Sequence, residues 1–150
     1  MCAVSQQLLV GLGSPHGDDR VAWTVAEELE SSRPDWIIRK ASTAVDLFDW
    51  LEGVDRLIVI DACRGAGAPG SIVRWRWPAV PLTALRGAGS HDLGLAEVLQ
   101  TATRLGTLPS RVEIIGIEIG ACRCGEDLSE AAAASVEKLV AELRSEVGRA

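Results

Sequence analysis

LLVGLGSPHGDDRVA, residues Leu8 to Ala22, contains the change of period that decides the fold. Its first five residues form a short continuous apolar run that ends at Gly13-Ser14-Pro15, which reads as a buried strand and then a turn. Beyond the turn, Val21, Ala22, Val25, Ala26 and Leu29 recur at helical spacing, with Asp18 or Asp19 as the helix cap. Ser31, Ser32 and Pro34 stop that helix.

Working outward, the same alternation repeats. Trp36-Ile37-Ile38 reads as a second strand. Thr43 with Asp46 three residues on offers a capping-box-like start to a helix whose apolar positions are Ala44, Leu47, Phe48 and Leu51. Leu57 to Ile60 is a third strand, ending in Asp61, and Gly65 to Gly70 is a loop. Ser71 to Trp77 alternates with period two, as a half-exposed strand near a sheet edge does, and Pro78 and Pro81 close it. Leu95, Val98, Leu99 and Ala102 share one helix face. Val112 to Ile119 is a β-branched strand with Glu118 inside it. After a loop from Ala121 to Asp127, Ser129 caps a last helix striped by Ala132, Val136, Leu139, Val140 and Leu143. Strands alternating with helices predict an α/β fold: a three-layer α/β/α sandwich on a mostly parallel five-stranded sheet with one antiparallel strand. Residues 1–150 read as a single domain, since no repeat, linker or low-complexity boundary interrupts them.

Composition narrows the function. A chain of 150 residues can bury about 70% of its unfolded surface. A hydrophobic fraction of 47% with 24% charged residues excludes a disordered or fibrous chain. Fifteen basic and 21 acidic residues give a net charge of −6 without a Lys/Arg run, which argues against a nucleic-acid partner. No stretch approaches the ~20 apolar residues of a membrane span, and Met1 to Gln7 lacks secretory-signal features. Cys2, Cys63, Cys122 and Cys124 form no paired CxxC hooks, so reduced thiols and a cytoplasmic location are expected. Only His16 and His91 can supply an imidazole.

Open parallel sheets bind ligands at the carboxyl ends of their strands. The polar residues predicted there are Ser14, His16, Asp18 and Asp19 after strand one, Asp61 after strand three, Ser90, His91 and Asp92 before the third helix, and Glu118. Carboxylates with an imidazole can hold nickel, zinc or iron, and a carboxylate can act as general base toward water. Each residue also has a structural reading. Asp18 and Asp19 could be helix caps, Asp61 could close its own loop through a hydrogen bond, His91 could be a cap or a surface residue, and His16 could be solvent-exposed. Glu118 could be a buried structural carboxylate, and Cys63 a small buried residue. Cys122 and Cys124 make only a weak soft-metal pair. Gly11-Leu12-Gly13 after a strand hints at a dinucleotide fingerprint, but the third glycine of that motif falls at His16, and Asp18 and Asp19 would repel a pyrophosphate.

Four ordered segments spanning nearly the whole chain resemble the nickel-iron hydrogenase maturation endopeptidases. GLGSPHGDDRVAWTVAEEL resembles the Gly-x-Gly-Asn-Pro, Asp-Asp-Gly and helix opening of that family. LIVIDACRGAGAPGSIVRW resembles its third strand with the aspartate and the following Pro-Gly loop. SHDLGLAEVL resembles its Ser-x-His-x-x-Gly-Leu segment, and VEIIGIEIG with GEDLSE resembles its Gly-Ile-Glu strand and the start of its last helix. The resemblance implies an endopeptidase, a peptide-bond hydrolase that clips a C-terminal extension from a hydrogenase large-subunit precursor after nickel insertion. It implies Asp19, Asp61 and His91 as a metal-contacting triad that reads the nickel of the substrate, with no permanent metal cofactor. Asp19 and Asp61 are then the candidate catalytic carboxylates, and Ser42, Thr43 and Arg20 the candidate substrate contacts.

The chain also departs from the family pattern. Ser14 replaces an asparagine, the spacer before the acidic pair is one residue shorter and holds His16, and Arg20 and Ala22 stand at glycine positions. Lys40-Ala41-Ser42-Thr43 keeps only the threonine of an Asp-Gly-Gly-Thr segment that is linked in the family to partner recognition. Arg20 could pair with Asp19. These departures motivate an alternative, a non-catalytic relative that binds a hydrogenase partner or a metal without cleaving. A small nucleotide-binding module is a third reading.

Overall fold

The computed structural model describes residues 5–15, 17–63, 67–79, 94–119 and 128–146. Five strands form one sheet: β1 (Gln7–Leu12), β2 (Ile37–Ala41), β3 (Arg56–Cys63), β4 (Ile72–Arg76) and β5 (Arg111–Glu118). Three α-helices accompany them: α1 (Val21–Ser32), α2 (Leu95–Leu105) and α3 (Glu130–Ser145). Two 3-10 segments, Gly17–Arg20 and Ala44–Asp49, complete the described elements. The sheet order is β2-β1-β3-β5-β4. β1, β2, β3 and β5 run parallel, and β4 returns antiparallel to β5 at the edge.

The pleat sorts the apolar runs onto two faces, because successive side chains of a strand point to opposite sides. Leu9, Ile58, Ile60, Ile115 and Ile117 face α1 and α3, whose stripes of Val21, Val25, Leu29, Val136, Leu139 and Leu143 cover them. Leu8, Val10, Leu57, Val59, Val112 and Ile114 face the other way, toward α2 and the Ala44–Asp49 segment. Burial on both faces explains why these strands read as continuous apolar runs, and each fully buried Leu or Ile contributes ~1.5–3 kcal/mol. Trp75 of the edge strand and Trp77 just beyond its end are partly buried against this second core.

Several local expectations are corrected. Neither Asp18 nor Asp19 caps α1: the cap position is Arg20, with no side-chain hydrogen bond, and a 3-10 turn leads into the helix. Thr43 forms no side-chain cap either, and the expected amphipathic helix is a six-residue 3-10 segment. Ala44, Leu47, Phe48 and Leu51 still face the core, so burial rather than helix type made the pattern. β2 begins at Ile37 and continues to Ala41, while Trp36 is buried ahead of it with the Arg33 guanidinium 4.0 Å from its ring centre. β3 continues two residues past Asp61, held by register with β5 through Cys63 and Glu118. Ser129 caps α3 as expected, accepting from the Ala132 amide at 3.2 Å. Among the described residues, no helix is long and apolar enough to cross a membrane.

Candidate active site

Parallel register brings three strand ends to one rim. Leu12 of β1 lies beside Ala41 of β2 on one side and Asp61 of β3 on the other. The Gly17–Arg20 turn rises from the end of β1, and Ser42 and Thr43 follow the end of β2. Topology therefore gathers Asp18, Asp19, Asp61, Ser42 and Thr43 at the carboxyl end of the sheet.

The turn is packed so tightly against β1 that only glycine fits below it. A Cβ on Gly13 would stand 2.3 Å from the Asp19 carbonyl oxygen, and one on Gly11 would stand 2.5 Å from that of Ala22. The backbone is tied down as well: the Gly13 amide donates to Ala41 O at 2.9 Å and the Ser14 amide to Asp19 O at 3.1 Å. Both amides are directed at carbonyls, so the two glycines serve close packing of the helix start rather than a pyrophosphate cradle.

Asp18 is buried, and its partner lies far away in sequence. Its Oδ1 accepts from the Ser129 amide and its Oδ2 from the Ser129 hydroxyl, both at 2.8 Å. The N-terminal end of α3 favours an anion there. The carboxylate expected to cap its own helix instead binds the start of the last one.

Asp19 and Asp61 are both half-buried. Burial pushes Asp61 up to about 8, the neighbouring negative charge of Asp19 pushes in the same direction, and a hydrogen bond from the Ala62 backbone opposes them. Such an arrangement suits a cation, or a proton exchanged near neutral pH. Arg20 is exposed, and among the described residues it makes no ion pair with Asp19, contrary to the expected pairing. Ser42 is exposed and Thr43 half-buried on the same rim.

Two residues further along β3, the buried Cys63 Sγ donates to Glu118 Oε2 at 3.5 Å. Desolvation, this bond to Glu118 and the nearby carboxylates push the thiol up to about 12, which keeps it protonated and poorly nucleophilic. Glu118 is thus a buried carboxyl one strand over from Asp61. Cys63 is the small buried residue that the sequence suggests.

His91, the expected third member of the triad, lies outside the described residues, as do His16, Ser90, Asp92, Cys122 and Cys124. Among the described residues, no group of three His, Cys, Asp or Glu side chains is arranged to hold a metal ion. Sequence reasoning named Asp18 but missed its partner, and it missed Arg33 and Arg56 entirely. Both arginines are buried, and no local pattern marks an arginine for burial.

Comparison with known proteins follows the same lines. A family model described as hydrogenase maturation protease (HycI) matches residues 24–146. No curated protein matches the sequence. The fold is similar to that of the hydrogenase maturating endopeptidase HybD from E. coli, with a TM-score of 0.77 and 23% identity over 92% of this chain and 89% of that one. It is also similar to the [NiFe] hydrogenase maturation protease HycI from Thermococcus kodakarensis, with a TM-score of 0.74 and 24% identity over 93% and 90%. A solution structure of an endopeptidase from Escherichia coli gives a TM-score of 0.79 at 22% identity, covering 92% and 89%.

Proposed function

We propose a specific activity from one premise: this chain belongs to the hydrogenase maturation protease family, a family of peptide-bond hydrolases. The activity is removal of a C-terminal extension from a nickel-loaded [NiFe] hydrogenase large-subunit precursor, in the cytoplasm. Asp19, Asp61 and His91 read the nickel, which belongs to the substrate. No permanent metal cofactor is required. Ser42, Thr43 and Arg20 contact the precursor.

The observation that carries this reading is that register and turn bring Asp19 and Asp61 to one rim, where burial first and the Asp19 charge second push Asp61 up to about 8. A protein maintains such a pair at a cost in stability, which points to use rather than support. A cation on the substrate relieves the repulsion when it arrives, so recognition and charge neutralisation become one event. Two carboxylates and one imidazole leave positions open for the substrate's own ligands. A triad carboxylate then takes the proton of a water whose oxygen attacks the scissile carbonyl, and the proton passes to the departing amine.

The test is co-expression with the precursor, with and without nickel, read by intact mass. The expected result is a nickel-dependent loss of mass that falls by about 10²–10⁴-fold in Asp61→Asn. Cleavage by Asp61→Asn at the wild-type rate removes Asp61 from the site. Equal cleavage without nickel overturns the nickel reading. Binding of the nickel-loaded precursor without clipping supports the non-catalytic alternative instead.

A further inference from the structure

We infer that Asp18 is a positioning residue that holds Asp19 against Asp61, acting through Ser129 at the start of α3. The inference rests on the proposed endopeptidase reading for its effect on rate, but the mechanical linkage stands on geometry alone.

Three observations converge. First, the buried Asp18 carboxylate spends both oxygens on one residue, taking the Ser129 amide and hydroxyl at 2.8 Å each, and these partners are 111 positions apart. Charge-assisted bonds of this kind are about twice as strong as neutral ones. Second, Asp18 and Asp19 are consecutive in a four-residue 3-10 turn, so a clamp on one fixes the backbone of the other. From its opposite side the same turn is gripped by the Ser14 amide on Asp19 O and by the bare α-carbon of Gly13. Third, the first turns of α3 also hold the segment beyond Asp61. The Ser135 hydroxyl donates to Gly70 O at 2.7 Å, while the Gly70 amide donates to Glu118 O at 2.8 Å. One helix start therefore references both the turn that carries Asp19 and the loop that follows the strand of Asp61.

Without the clamp, the turn that carries Asp19 is free to shift on its α3 side, because the Ser14 amide and Gly13 grip it only from the opposite side. The expected consequence is a loss of rate that exceeds the loss of precursor affinity, since Asp19 and Arg20 move with the turn while Ser42, Thr43 and Asp61 lie off it. A misplacement of about 1 Å in a reacting group can cost ~10²-fold.

The experiment compares wild type, Asp18→Asn, Ser129→Ala and Ser129→Thr. All are first checked by circular dichroism to be folded at the assay temperature. Asp18→Asn removes the charge that grips Ser129. Ser129→Ala removes one of the two bonds together with the α3 cap that the same hydroxyl forms with the Ala132 amide, and Ser129→Thr keeps a hydroxyl for both. Amide exchange at Ser14, which reports the docking of the turn, is measured by NMR without substrate, and cleavage of the nickel-loaded precursor gives kcat and KM. Asp18→Asn and Ser129→Ala are expected to accelerate Ser14 exchange and lower kcat by about 10–100-fold with a smaller rise in KM, and Ser129→Thr to restore both. Wild-type exchange in a folded Asp18→Asn overturns the inference whatever the cleavage result. Accelerated exchange with unchanged kcat overturns the role in the reaction. If wild type itself does not cleave while exchange still accelerates, the linkage is supported and the endopeptidase reading is what fails.

Discussion

The two ends of the same parallel sheet treat charge in opposite ways. At the amino ends of the strands, buried arginines are saturated with acceptors. Arg56 places Nη2 2.6 Å from Glu146 and 3.3 Å from Glu113, and Nη1 3.2 Å from the Gln7 side-chain oxygen. Arg74 extends the network to Glu113 at 2.8 Å and Glu142 at 3.1 Å. Arg33 binds Asp35 at 2.8 Å, the carbonyls of Leu143, Arg144 and Glu146 at the end of α3, and the Trp36 ring. At the carboxyl ends, Asp18, Asp19 and Asp61 share one rim, and among the described residues none of them joins an ion pair. One end spends its charges on holding α3 and the sheet together. The other buries a carboxyl beside another, and burial first, with the Asp19 charge second, pushes Asp61 up to about 8. Local rules are kept where the chain needs stability and broken where it needs chemistry.

Substitutions at the two ends should therefore separate stability from activity. The largest stability effect is expected at the amino end. Arg56→Ala takes the guanidinium from Glu146 and Gln7, leaves Glu113 with Arg74 alone, and should destabilise by about 3 kcal/mol in urea unfolding. Cleavage per folded molecule should stay near wild type, and a parallel loss of kcat in the folded fraction would break the comparison.

Asp61→Asn should act with the opposite sign. The folded carboxyl titrates near 8 instead of its ordinary 3.8, so folding takes up a proton between those limits. This group's contribution is therefore full below its ordinary value and is lost as pH rises through about 8. Each pH unit within the window costs about 1.4 kcal/mol. Between pH 5 and pH 7, the metal-free wild type should lose ~3 kcal/mol relative to Asp61→Asn, measured as the difference of two denaturant series. Equal slopes would show that Asp61 titrates normally and that neither burial nor Asp19 shifts it.

A smaller effect sharpens the geometry. Gly13→Ala drives a methyl into the Asp19 carbonyl, and the backbone shift should cost about 2 kcal/mol. Its fractional effect on cleavage should exceed its effect on stability, because the displaced turn carries Asp19, one of the proposed site residues. If the thermal shift appears with undiminished kcat, the position of Asp19 matters less than the proposal requires.

Much of this was legible in the chain. The LLVGL and LIVI runs read as strands because each face of a parallel sheet is dry, and the α1 and α3 stripes survive residue by residue. Ser129 as a cap was legible because its partner, Ala132, is three residues away. Asp61 was legible as a polar residue at the end of an apolar strand. Asp18 was misread, and the reason is physical: a carboxylate next to a helix start usually satisfies that helix, yet this one found a competing helix start nearby in space. Thr43 with Asp46 was misread in the same way, since a capping pattern states only that side chains could reach amides. The edge position of β4 followed from its alternation, whereas the networks of Arg33 and Arg56 had no sequence signal.

The sequence by itself determined the layers, the alternation, the family resemblance and which residue types were available, because periodicity and composition are local properties of the chain. Only the tertiary structure decided which charges meet. The parallel register set Asp61 beside the end of β1, and α3 packed its first turn against the Gly17–Arg20 segment. Electrostatic interaction depends on distance and burial, and neither is written in sequence separation.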